Sequence, residues 1–218
     1  MTARSLVLPA TAMVAAVLLT ACAPTDDAPD DASSSTASEA ASSSSSSEAS
    51  AEKTPGADGE YVEASADGPA QNVPKPQKPA LADEESYEGA QAFLDYLADT
   101  RAYAWQTGDT SLIREITAEE CASCFAEIED IERLYDMGGW ASSGQEQVKI
   151  IDQDMPIDSY GFPAPRAVVD FPGLTAWEEG GAVIYEVDPI DGEDDPIYFH
   201  MSHTDQRWVL IQPTAVAI

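Results

Sequence analysis

"PIYFHMSHTDQRWVLIQP", Pro196 to Pro213, decides how this chain is built. Two runs, "PIYFHMS" and "RWVLIQP", are rich in aromatic and β-branched residues and flank a short polar break. Each reads as a strand. So short a connection favours antiparallel neighbours. Three similar runs precede them, "QVKII" from Gln147, "RAVVDF" from Arg166 and "AVIYEV" from Ala182, separated by Gly, Pro and Asp. "DPIDGEDDP", Asp188 to Pro196, reads as an exposed hairpin loop between two of them. The expectation is a curved antiparallel sheet of four to five strands.

Upstream the period changes from two to 3.6. Tyr87, Ala90, Leu94, Leu97 and Arg101 fall on one helical stripe, with Phe93 and Ala104 beside it. "QTGD" stops this helix, with Gly108 as the left-handed cap. "TSLIREI" gives a short second helix. Thr117 and Glu120 form the pattern of a capping box, and a third helix runs to about Met137 with Phe125, Ile128, Ile131 and Tyr135 on one side. Gly138-Gly139 ends it. Three helices on one face of an antiparallel sheet make an α+β domain, placed at residues 81–218.

Residues 22–80 have a different character. "DASSSTASEAASSSSSSEASAEKTPGADGE" is Ser, Ala and acid with almost no large apolar side chain, and Pro69, Pro74, Pro76 and Pro79 come after it. Such a segment buries too little surface to offset chain entropy and is expected to be disordered. Tyr61 and Val62 are its only hint of a local contact. It reads as a spacer; a glycosylated stalk is the alternative for a Ser/Thr-rich, Pro-containing stretch.

The N-terminus explains what is spaced. Arg4 precedes an uncharged apolar run, Ser5 to Leu19, which is short of the ~20 residues a spanning helix needs and fits a secretory signal over residues 1–21. The run ends "LTAC", Leu19-Thr20-Ala21-Cys22. This resembles the bacterial lipobox, with Leu19, Thr20 and Ala21 read by the signal peptidase. The resemblance implies cleavage before Cys22 and a diacylglyceryl group on its sulfur. Two acyl chains hold a protein firmly on a membrane, where one is marginal. The expected location is the outer face of the cytoplasmic membrane. The membrane partner is then the diacylglycerol on Cys22.

Forty Asp and Glu against ten Lys and Arg give a net charge of −30. Nucleic acid and direct docking on anionic lipid both reward basic patches, so neither is expected.

Cys121 and Cys124 remain. With Cys22 committed, they are an even pair in an oxidising space. The first turns of a helix bring residues three apart together, so a disulfide is sterically possible and closes a loop worth only ~2 kcal/mol. A redox couple expects a strand running into the active-site helix, whereas a helix precedes here; Glu119 and Glu120 also disfavour a thiolate. Zinc would add His200 and His203, which strand alternation points to opposite faces. A structural disulfide is the preferred reading, with no metal and no cofactor. The acidic loop holding Asp188, Asp191, Glu193, Asp194 and Asp195 does not match the EF-hand spacing.

Helices followed by a four-stranded sheet within about 130 residues resemble the cone-shaped nuclear transport factor 2-like fold. The run "YAWQTGDTSLIREITAEECASC", Tyr103 to Cys124, together with the lipobox and Ser-rich spacer, resembles an uncharacterised lipoprotein family of actinobacteria whose C-terminal domain has no known function. Cone folds often enclose a cavity, and some relatives use an Asp or His inside it. The resemblance makes Asp170, Tyr185 and His200 the pocket candidates. Alternation argues instead that Asp170 faces water, opposite Val169 and Phe171. Trp105, Trp140, Trp177 and Trp208 suit either a ligand pocket or a core. The expected role is a non-catalytic binding module of the cell envelope, for an envelope protein or a small ligand. The alternatives are an acid/base enzyme and a thiol- or metal-handling lipoprotein.

Overall fold

The structure is a computed structural model that describes residues 59–215. The signal peptide, the lipobox with Cys22, and the spacer as far as Asp58 lie outside the described residues.

The helices form where the apolar period places them. Helix α1 spans Tyr87–Thr107 and is capped by Ser86, whose side chain accepts the Gly89 N–H at 3.0 Å. Ala90, Phe93, Leu94, Leu97 and Ala104 are buried along it. Gly108 ends it at φ 75°, with the Tyr135 ring where a Cβ would stand. Helix α2 is Ser111–Glu115 and α3 is Ala122–Asp136, with Ile128 and Ile131 fully inside. Arg114 ties α2 to α3 by three bonds to the Glu132 carboxylate at 2.8–3.0 Å.

The capping box does not form. Thr117 Oγ1 donates to the Ile113 carbonyl, and Thr117 bridges Leu210 in the last strand. Residues 116–118 are held against that strand by hydrogen bonds from Leu210 N–H to the Ile116 carbonyl and from Ala118 N–H to the Leu210 carbonyl, so α3 starts later, behind Cys121.

The expected single curved sheet does not form either. Among the described residues there are seven strands in two antiparallel sheets. Strands β1 (Trp140–Ser143), β4 (Leu174–Trp177) and β5 (Val183–Val187) make the smaller sheet, in the order β1-β4-β5. Strands β2 (Gln147–Ile150), β3 (Arg166–Asp170), β6 (Ile197–Thr204) and β7 (Arg207–Ala215) make the larger, in the order β2-β3-β6-β7. The domain is α+β with helices before sheets, but it is not a nuclear transport factor 2-like cone. The division has a local cause. After β3, Pro172 offers no N–H to a ladder and Gly173 turns at φ 98°, so the chain leaves the larger sheet and starts the smaller.

The return crossing is Asp188–Pro196. These residues are therefore no hairpin loop, because β5 and β6 belong to different sheets. Ile190 pairs with Phe171 through two backbone hydrogen bonds, and Gly192 donates to the Asp170 carboxylate. The β6–β7 pair is antiparallel as expected, with a bulge between His200 and Met201.

The larger sheet packs Val148, Ala167, Phe199, Met201, Trp208 and Leu210 against α1 and α3. The smaller sheet packs Ala141, Leu174 and Ala176 against Leu134. The chain just before α1 belongs to this body too. Val62 pairs with Gln71 and Ser65 with Gly68; the Trp140 indole donates to the Ser65 carbonyl at 2.7 Å, and Tyr61 donates to Gln106. Ala64 is buried on the stacked pair Trp140–Trp177. Residues 59–80, assigned by composition to the disordered spacer, are thus ordered against the domain. Small side chains and one carbonyl that accepts an indole N–H replace the large apolar residues that a composition count looks for.

Candidate functional site

An open cleft of about 660 Å³ lies between the helices and the smaller sheet. This is within the usual range for small-ligand sites. Ala98 and Trp105 of α1 and Leu134 of α3 form one wall; Phe171, Ala176 and Ile184 belong to the other. The lining is mainly apolar.

Its charged side chains are a set centred on Arg101, the Asp130–Arg133 ion pair and Asp195. Arg101 of α1 donates from Nη1 to both oxygens of Glu146, at 2.6 and 2.7 Å. Its Nη2 and Nε reach Glu127 Oε1 of α3 at 2.7 and 3.3 Å. The Trp105 indole donates to the same oxygen at 2.9 Å. Burial works against the guanidinium's charge, and the two carboxylates outweigh it, holding Arg101 protonated well above the usual arginine range. Glu146 is buried in the segment between β1 and β2, so the trio joins α1, α3 and the sheet region. Its sum is one negative charge. Each carboxylate is occupied by fixed donors, an arrangement that holds shape and leaves no base poised for a proton.

The sequence offered half of this. An arginine in the stripe Leu94-Leu97-Arg101-Ala104 signals a buried cation that needs acids. Nothing local says which of forty acids supply them, because Glu127 and Glu146 arrive from 26 and 45 residues away.

A family model described as a family of unknown function, DUF6318, matches residues 59–214. The chain belongs to this family. The DUF6318 match starts at the Val62–Gln71 pairing, before the helices. No curated protein matches the chain. Among solved structures, the intermembrane space region of the chloroplast protein ARC6 is similar at 8% identity, covering 62% of this chain and 99% of that one, with a TM-score of 0.43.

The DUF6318 domain does not gather the three pocket candidates. Asp170 ends β3, exposed, and accepts from Gly192. Tyr185 does line the cleft, from the edge strand β5. His200 is not among the lining residues: the buried side chains of β6 are Phe199 and Met201 on either side of it. His200 Nδ1 meets Asp158 Oδ2 at 2.7 Å and Nε2 meets Thr214 Oγ1 at 3.0 Å. This has the order of a carboxylate–imidazole–hydroxyl relay. None of the three lines the cleft, and Asp158 Oδ1 is taken by the N–H groups of Tyr160 and Phe162. Burial would raise the Asp158 carboxyl, but those N–H groups and His200 outweigh it and hold it below the usual carboxylate range. The trio pins the loop between β2 and β3 to β6 and β7.

The Cys121 and Cys124 sulfurs stand at disulfide distance, 1.97 Å, with both residues buried in the main core. Cys121 also caps α3, its sulfur accepting the Cys124 N–H. Burial on this scale denies a redox partner access to the pair. His203 bonds the Asp83 carbonyl and meets Trp208 edge-on. Trp208 in turn donates to the Glu84 carbonyl. Among the described residues no group of three His, Cys, Asp or Glu is placed to hold a metal ion. The missed feature is the apolar cleft wall. Its strand β4, "LTAW", is four residues long and too short for periodicity to reveal.

Proposed function

We propose that the DUF6318 domain is a non-catalytic binding module of the cell envelope that takes an apolar part of its partner into this cleft. The observation that carries the reading is an open apolar cleft whose Arg101–Glu127–Glu146 set and Asp130–Arg133 pair are satisfied internally. Binding sites combine apolar lining with a few fixed polar groups, whereas an acid/base enzyme needs a group free to exchange a proton. Tyr185 and Ile184, half exposed on the cleft lip, are the side chains a partner meets first.

Occupancy is read in place. In the full chain, a cysteine at Tyr185 (Tyr185→Cys) is expected to react with a maleimide about tenfold more slowly in the intact envelope than after purification. A cysteine at Tyr160 (Tyr160→Cys), exposed and outside the cleft, reacts equally in both. Equal rates at Tyr185 in the two settings overturn the reading.

The anchor in this proposal is the lipid on Cys22, supported by the residues Leu19 to Cys22. Cells fed an alkyne-tagged fatty acid are expected to label the wild-type chain and not Cys22→Ser. Label persisting on Cys22→Ser, or a wild type without label, removes the anchor.

A further inference from the structure

Strand β5 is a five-residue edge with its apolar side chains in water. Val183, Ile184 and Tyr185 are 54, 50 and 54% exposed. Strand β4 holds one side of it, and among the described residues no strand pairs with the other. Such an edge, long enough to template pairing and carrying apolar residues on both faces, is one that soluble proteins ordinarily cover or charge. Here neither is done on the strand's first three residues. Ile190 and Met137, both more than half exposed, extend the apolar strip past it into the cleft.

The surroundings of the edge select what covers it. From Ala167 to Gln206 there is no lysine or arginine. Glu178 and Glu179 precede the strand, Glu186 lies on it, and Asp188, Asp191 and Glu193 come after it. A second copy of the chain would bring the same acids edge to edge, and like charges facing one another oppose pairing. The arginines lining the cleft, Arg101 and Arg133, are already paired with Glu127, Glu146 and Asp130, so an acidic or uncharged segment gains nothing from this rim. An extended segment that alternates apolar with basic side chains meets both features at once: one face of a strand enters the cleft and the other reaches the acids.

We infer that β5 is a strand-addition site for an extended peptide segment of alternating apolar and Lys/Arg residues, paired backbone to backbone along Val183–Val187 and held by the surrounding acids. This rests on the binding-module reading and names the chemistry of the partner. Five residues of strand span about 17 Å, so a segment of about seven residues covers the edge.

The test uses the full lipidated chain in phosphatidylcholine vesicles and a fluorescent heptapeptide of alternating Lys and Val, with empty vesicles as the blank. Anisotropy is expected to rise with protein and to fall back with salt. Glu186→Lys with Asp188→Lys should weaken binding about tenfold or more, and an alternating Glu-Val peptide should not bind. Methylating alternate peptide amides should abolish binding in one of the two registers, because only one set of N–H groups faces β5. Equal binding by both methylated peptides overturns strand addition while the cleft reading stands. No binding of the Lys-Val peptide, with Tyr185→Cys still protected in the envelope, overturns this inference alone. No binding and no protection removes both. Concentration-dependent dimers that Glu186→Lys strengthens would make a second copy the occupant instead.

Discussion

Phe93→Ala is expected to destabilise the domain by about 3–5 kcal/mol, the cost of deleting a large ring from a core that cannot collapse into the space. Phe93 is fully buried in the second turn of α1 and belongs to the main cluster with Ile128, Ile131 and Met201. That cluster joins the third helix to the larger sheet's inner face. Set against a typical total of about 5–15 kcal/mol, the loss leaves a measurable share of chains unfolded. Urea unfolding followed by tryptophan fluorescence measures it. The midpoint should drop while the slope is unchanged. A loss below about 1 kcal/mol would mean that Phe93 is not a core anchor and that α1 does not pack as described.

Arg101→Met is the second large effect. The substitution keeps most of the stem volume and removes the charge, leaving Glu127 and Glu146 without their cation. Breaking a fully buried pair costs about 3–5 kcal/mol; with the Arg101 side chain one-third exposed, screening reduces this to about 2 kcal/mol. The cause is separable from simple loss of packing. Adding Glu127→Gln and Glu146→Gln to Arg101→Met removes the stranded charges and should restore at least half of the lost stability, since the three sites are coupled rather than additive. A triple variant no more stable than Arg101→Met alone would sink the charge explanation. Trp105 reports on the same site, because its indole loses an ionised acceptor when Glu127 is neutral.

The helical half was legible because its signals are local. Gly108 and the stripe from Ala90 to Ala104 each act within one or two turns, and the structure uses both. The same holds for the five strand runs, all of which are strands. What failed was assembly. Whether β5 joins β6 depends on Pro172, Gly173 and the Phe171–Ile190 pairing, and a one-dimensional reading sees only a short acidic connection. Strands β1 and β4 carry four residues each, below the length at which alternation shows. Thr117 had the right neighbours for a capping box and was captured instead by Leu210, nearly a hundred residues on. The site was partly legible for the same reason. Tyr185 was singled out and does line the cleft, but Arg101, Glu127 and Glu146 become one group only through the tertiary fold. Asp170 and His200 looked like their companion Tyr185 in sequence and lie elsewhere because of strand alternation: Asp170 follows Val169, which does line the cleft, and His200 sits between the buried Phe199 and Met201.

The small Val62–Gln71 pairing sets how the domain meets force. A pull on the chain ahead of Glu60 acts first on Tyr61–Gln106 and the Val62–Gln71 rungs, then on Ser65–Gly68 and the Trp140–Ser65 bond. The rungs lie in series along the line of pull, so they open one after another rather than together. Peeling Glu60 to Gln71 off the body releases roughly 40 Å of chain before α1 is loaded. Under load this segment is expected to open first, like a mechanical fuse, adding length while the helices and both sheets stay intact, and to close again when the load falls.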